Sequence, residues 1–204
     1  MIKTLIFDFG DVFINLDKEA TSTELQKLGI SSLSKEMLQI NILYETGKIN
    51  TDAFLNSYLK LFPEFSSEQL SKAWNAIILD FPEYRLKFIE ALSKSEKFKL
   101  ILLSNTNLLH IEKVIDNMSL KRYLRFKNCF DAFYLSQEIH LRKPNTDIYS
   151  FVLDTHNLIP EECFFIDDTF ENTESAKQLG IHIWNINPKR EDIIELFSKR
   201  KELF

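Results

Sequence analysis

Glycine and proline are scarce, four and five in 204 residues. That excludes a flexible or proline-rich linker and argues for regular elements joined by short connections. Two cysteines, Cys129 and Cys163, are too few for a disulfide framework and stand in no metal-ligand spacing; Cys163, inside an apolar run, is expected in the core. Neither an uncharged apolar run of membrane-spanning length nor the apolar segment of a signal peptide occurs, and the expectation is a cytoplasmic protein with no membrane partner. Positive charge is short too. A formal net charge of −5 offers no broad basic field for a nucleic-acid backbone or an anionic lipid surface, so no nucleic-acid partner is expected. An anionic small molecule fits only where a metal ion and a few local cations reverse the field.

What is present is ordinary globular composition, 45% hydrophobic and 27% charged, with length for one large domain or a core carrying a small insertion. Eighteen phenylalanines point to a bulky, aromatic-rich interior. Short apolar runs alternate with helical patterns. Thr4-Leu5-Ile6-Phe7, Leu100 to Leu103, Ala132 to Leu135, Cys163 to Ile166 and Ile181 to Trp184 read as strands. Helical periodicity covers Glu83 to Ser93, Leu108 to Met118, the stretch after Pro144 with Ile148, Phe151 and Val152, Glu171 to Gly180, and Arg190 to Arg200. LKRYLRFKNC reads as a connection. Alternation at these lengths gives a parallel sheet covered by helices on both faces, an α/β Rossmann-like three-layer core.

From about Lys18 to Pro82 no strand signal competes with helix. Leu33, Met37, Ile40 and Tyr44 recur at helical steps, DAFLNSYLKLF follows Thr51 and stops at Pro63, and Ser66-Ser67-Glu68 opens a third helix with Leu70, Trp74 and Ile77 or Ile78 on its apolar face. This all-helical block interrupts the βα alternation. The expected division is a core of residues 1–15 and 83–204 with an inserted helical cap of residues 16–82; helices packed on the core are the alternative.

Three strands end alike. The first breaks at Asp8-Phe9-Gly10-Asp11, the second at Ser104-Asn105-Thr106-Asn107, and the fourth at Asp167-Asp168-Thr169; between the last two stands Arg142-Lys143-Pro144. Ligands of open parallel sheets bind at the carboxyl ends of the strands. Gly10 allows close backbone approach and Asp11 tolerates positive φ. If these ends lie side by side, Asp8, Ser104 and Asp167-Asp168 meet in one crevice, and the crowded carboxylates call for a hard divalent cation with oxygen ligands, such as Mg2+. Taken singly, each motif has a structural reading: a capping acid, a strand-to-helix cap, a solvated lysine, an acid pair at a helix N-terminus.

Together and in this order, FDFGDV, LSNTN, RKPN and FFIDDT resemble the four motifs of the haloacid dehalogenase superfamily of hydrolases, over nearly the whole chain. Their wording is most similar to the bacterial branch of sugar-phosphate phosphatases, alpha-D-glucose-1-phosphate phosphatase among them. The resemblance implies a helical cap over the site, Asp8 as nucleophile and metal ligand, a Gly10 carbonyl and Asp168 as further Mg2+ ligands, and Asp167 behind them or bridging through water. Lys143 would hold the phosphoryl oxygens and offset Asp8, and Ser104 with Asn105 would donate to the same oxygens. The implied activity is Mg2+-dependent hydrolysis of a small phosphorylated metabolite through an aspartyl phosphate. Most phosphatases of the superfamily carry a general-acid aspartate where this chain has Gly10, so Asp11, a water or a cap residue has to donate that proton. A 2-haloacid dehalogenase, which lacks that aspartate too but needs no metal, is the alternative, and the doubled Asp167-Asp168 argues against it. A weakly catalytic binding or regulatory protein on the same scaffold is a third reading. Of the remaining residues, His140 lies near Lys143, Lys48 in a turn could reach a phosphate or sugar, and Trp74 and Tyr44 at helical spacing are expected in the core. No sequence pattern speaks to oligomeric state.

Overall fold

The five apolar runs become five parallel strands in the computed structural model, which describes residues 1–204 except the side chain of Glu202. They are β1 (Thr4–Phe7), β2 (Lys99–Ser104), β3 (Ala132–Leu135), β4 (Cys163–Asp167) and β5 (His182–Asn185), ordered β3-β2-β1-β4-β5. Every residue of β1 and β4 is buried, as near-continuous apolar strands require when helices cover both faces. The edge strands β3 and β5 are partly exposed. Register places the chemistry. Phe7 pairs with Leu102 on one side and Ile166 on the other, so Asp8, the next residue, emerges level with Asp167.

Helices α5 (Glu83–Lys94), α6 (Leu108–Met118), α7 (Leu120–Lys127), α8 (Ser136–Ile139), α9 (Thr146–His156), α10 (Phe170–Lys177) and α11 (Leu196–Lys199) accompany the sheet. Leu5, Phe7, Leu100 and Leu102 pack on one face with Phe13, Phe81 and Phe126, and Ile6, Ile101, Leu103 and Phe165 on the other with Ile148, Tyr149 and Val152. The phenylalanines form a connected floor: Phe126 lies 5.0 Å from Phe13 and from Phe130, and 5.1 Å from Phe81, ring centroid to ring centroid. Among the described residues no helix is long and apolar enough to cross a membrane.

Between β1 and β2 stand α1 (Ala20–Lys27), α2 (Lys35–Glu45), α3 (Thr51–Leu61) and α4 (Ser67–Asn75). Ser34, Asn50 and Ser66 cap the last three by accepting main-chain N–H groups, satisfying donors that a helix start leaves orphaned. The block has its own apolar cluster of Leu25, Met37, Ile40, Tyr44, Phe54, Tyr58 and Trp74, joined by Leu109 of α6; Trp74 and Tyr44 are core residues. Its two connections pair with each other. Asn15 donates its main-chain N–H to Asp80 at 2.8 Å, Leu79 to Asn15 at 3.1 Å and Asp17 to Ile77 at 2.9 Å.

Four expectations need correction. LKRYLRFKNC is not a bare connection but α7, which buries Tyr123 and Phe126 and is capped by Ser119 at φ 72°; its cationic outer face masked the helical spacing. The helix expected over Arg190 to Arg200 is a 3-10 turn, Ile193–Glu195, followed by α11. Asp192, which caps the turn, also binds the Arg85 guanidinium at 2.9 Å, and that pair sets the start. Helix α4 stops at Asn75, so Ile77 and Ile78 lie beyond it, and Ile78 bridges to Leu16. Leu33 precedes the Ser34 cap and is exposed.

The far end of α2 is clasped by the core. Ser136 Oγ donates to the Glu45 carbonyl at 2.6 Å, and His140 Nδ1 lies 2.8 Å from the Thr46 carbonyl. Gly47 has φ 62°, and a Cβ there would sit 2.0 Å from the Gln137 carbonyl oxygen. Gly47→Ala is expected to lose roughly 2–4 kcal/mol of stability, from left-handed backbone and overpacking together, measured by urea unfolding.

On α6, His110 stacks on Trp74 at 5.6 Å, with Nε2 3.1 Å from the Trp74 carbonyl and Nδ1 3.1 Å from Asn107 Nδ2. Burial pushes its pKa down to about 4. Between pH 6.5 and 4 the unfolded chain takes up a proton that the folded chain refuses, so stability falls as pH falls through that window, by roughly 3 kcal/mol. His110→Gln, unable to gain charge, should flatten that part of the unfolding free energy measured against pH.

Candidate active site

Asp8 leaves β1 into a tight turn in which Asp11 adopts φ 53°. Phe9 is buried and stacks on Phe126 at 5.1 Å. Asp8 and Gly10 face a cavity of about 430 Å³, lined also by Lys18, Asn105, Lys143 and Asp168. At Gly10 a Cβ would come within 2.7 Å of Leu16 Cδ1, so the glycine lets the next segment fold over the turn.

Lys143 is the centre of the site. Its Nζ, fully buried, lies 2.8 Å from Asp8 Oδ1 and 2.6 Å from Asp167 Oδ2. The Asn105 carboxamide clasps its main chain, Oδ1 accepting from Lys143 N at 2.9 Å and Nδ2 donating to Lys143 O at 2.8 Å. Asn105 therefore ties the lysine to the end of β2. Ser104 ends β2 and is buried, and it does not line the cavity. Asp167 is surrounded by donors: Thr169 N–H at 2.8 Å, Asn172 Nδ2 at 3.0 Å and Lys143. Asp168 differs. It lines the cavity, with Lys18 on Oδ2 and only the Thr169 hydroxyl, at 3.5 Å, near Oδ1.

The site is short of positive charge. Four carboxylates, Asp8, Asp11, Asp167 and Asp168, meet two ammonium groups, Lys143 and Lys18. Burial, reinforced by Asp167 and Asp168, pushes the Asp8 pKa up to about 7 although Lys143 pulls it down, and burial raises that of Asp168. Asp8, Asp167 and Asp168 each offer an oxygen within 4.8 Å of the others, an all-oxygen donor set suited to a hard divalent cation. The residues present fit such an ion.

Three residues about the site were given no role in the motif reading. Lys18 carried no pattern at all. Arg142, beside Lys143, lines the cavity and reaches Glu45 of α2 at 3.0 Å. Asn172 stands with Thr173, Ser175 and Ala176 on the buried face of α10. His140 turns to Thr46 instead of the site.

The haloacid dehalogenase-like hydrolase family model matches residues 2–180. The chain belongs to that family. Among curated relatives, D-ribitol-5-phosphate phosphatase of Bacteroides thetaiotaomicron is 28% identical over 186 residues, 88% of this chain and 89% of its own length. Among solved structures, a haloacid dehalogenase family enzyme of the same organism, in complex with magnesium and inorganic phosphate, is 33% identical with a TM-score of 0.83, covering 97% of this chain and all of that one. A hydrolase of the family from Porphyromonas gingivalis, 26% identical, covers 98% and 97% with a TM-score of 0.81. The α/β fold expected from the alternation is the fold of these neighbours.

Asp167→Asn in this hydrolase keeps the shape but removes one anionic partner of Lys143. The expected outcome is a loss of activity on the order of 10–100-fold with an unchanged circular dichroism spectrum.

Proposed function

We propose that this chain is a Mg2+-dependent phosphatase of small phosphorylated metabolites, sugar or polyol phosphates in the first place, working through an aspartyl phosphate on Asp8. The observation that carries the reading is the buried Lys143 ammonium on Asp8 and Asp167, with Asp168 open beside them. The relative that acts on ribitol 5-phosphate and the neighbour holding magnesium and phosphate support the substrate class and the ion.

Asp8 and Asp168, with the Gly10 carbonyl, would hold Mg2+, and the ion would supply the charge neutralisation that lets a phosphate approach a carboxylate. Asp167, its oxygens taken by Lys143, Thr169 and Asn172, is assigned to fixing the lysine. Asp8 attacks phosphorus with the oxygen that Lys143 does not hold, the P–O bond to the alcohol breaks, and water then cleaves the acyl phosphate. Lys143 Nζ and main-chain donors at the end of β2, near Ser104 and Asn105, bind the phosphoryl oxygens. Gly10 carries no acid. Asp11 accepts from Leu16 N at 3.0 Å and faces Lys18 at 3.4 Å, so the leaving oxygen draws its proton from water or from that side. The residues 16–82 act as a cap over a core of 1–15 and 83–204, a division supported by the block's own apolar cluster and by its paired connections.

Phosphate release from a panel of sugar phosphates, polyol phosphates, nucleotides and an aryl phosphate tests the reading. Release should require Mg2+, stop with EDTA, and fall by at least about a thousandfold in Asp8→Asn. Equal inertness of wild type and variant towards every ester would sink it.

A further inference from the structure

Lys18 has no place in the mechanism above, yet its ammonium sits on the carboxylate assigned to the metal. Nζ binds Asp168 Oδ2 and lies 3.4 Å from Asp11 Oδ2. Lys143 already serves Asp8 and Asp167, so Lys18 is the counter-ion of the remaining two acids. It comes from the segment that connects β1 to the helical block, a segment pinned by the paired connections of residues 15–17 and 77–80. Half of its side chain is exposed, so it has somewhere to go. Beside it opens a second cavity of about 770 Å³, which shares Leu16, Lys18 and Asp168 with the first and adds Asn15, Asp80 and Asn187.

We propose that Lys18 is a resident cation that competes with a divalent metal for Asp168; when the metal binds, its ammonium leaves Oδ2, turns to the second cavity and receives the hydroxyl-bearing alcohol part of the substrate. Asp168 Oδ1, approached only by the Thr169 hydroxyl, is open to the metal, and two cations on one carboxylate repel, so an ion arriving there weakens the hold of Oδ2 on Lys18. Displacement carries the lysine the short way to Asp11 and the cavity they share. A hydroxyl-rich, uncharged leaving group is the chemistry that a freed ammonium accommodates at that wall, among the carboxylates of Asp11, Asp17 and Asp80. The inference rests on the reading that Asp8 and Asp168 hold the ion.

Calorimetric titration of substrate-free protein with MgCl2 decides it, comparing wild type, Lys18→Met and Lys18→Arg, with circular dichroism showing that each is folded. Removing the competing charge should tighten Mg2+ binding about tenfold in Lys18→Met, while Lys18→Arg stays within about threefold of wild type. The same Lys18→Met protein should show a raised KM for a sugar phosphate and little change for an aryl phosphate, which has no hydroxyls to offer. Wild type binding Mg2+ with an affinity that Lys18→Met leaves unchanged or weakens would overturn the inference and leave the phosphatase reading standing. Binding by Lys18→Met alone would support it strongly. Binding by neither would remove the metal site, and the inference with it.

Discussion

Everything at the carboxyl end of this sheet depends on one buried ammonium shared by two carboxylates. Desolvating Lys143, Asp8 and Asp167 together is expensive, and such a cluster is rarely the cheapest way to fill a core. It persists because each partner is fixed from a different direction. β1 delivers Asp8, β4 delivers Asp167 level with it, and Asn105 at the end of β2 holds the lysine's main chain through both halves of its carboxamide. Asn172 and the Thr169 N–H fill the remaining lone pairs of Asp167. Slip β1 or β4 by one residue and the ammonium faces a single acid, since alternate residues point to opposite faces; slip β2 and the lysine loses the Asn105 clasp.

The aromatic floor sets the strength of these interactions. Phe7, Phe9 and Phe13 alternate with Asp8 and Gly10 around the turn, and their rings pack on each other and on Phe126, Phe81 and Phe130. Water is excluded below the acids, so burial leads the causes that raise the Asp8 pKa. A site built this way has an unsatisfied demand for positive charge, met in part by lysine. A divalent ion completes it without adding a proton. The phenylalanines of this floor are thus more than bulk: they lower the local dielectric under the chemistry.

The strands and their acidic ends were legible because burial on both faces leaves continuous apolar runs, and because Asp8, Ser104-Asn105 and Asp167-Asp168 interrupt them abruptly. Partnerships between distant segments were less legible. The clasp of Asn105 on Lys143 is a tertiary contact between residues 38 apart, and Lys18 reaches Asp168 across 150; no local spacing encodes either. Helix α7 was hidden for a different reason. Its cationic outer face, with Lys121, Arg122, Arg125 and Lys127, masked the spacing of the buried Tyr123 and Phe126. The start of the last helical pattern misled because Asp192 answers to Arg85, more than a hundred residues away.

The helical block is held to the core at both ends by charges and polar groups that belong to the site or adjoin it. At the connection end, Lys18 contacts Asp168 and Asp11; at the far end, Arg142, one residue before Lys143, pairs with Glu45, whose carboxyl is raised by burial although Arg142 is beside it. Apolar packing joins block and core as well, through Leu109 of α6 in the block's cluster, the Trp74–His110 stack, and Ile78 and Phe81 in the core cluster. The charged contacts still couple the block to the site, because an ion or anion arriving there acts directly on Asp168 and lies close to Arg142. Substrate choice and block position become one electrostatic problem, in which the same few side chains are weighed twice.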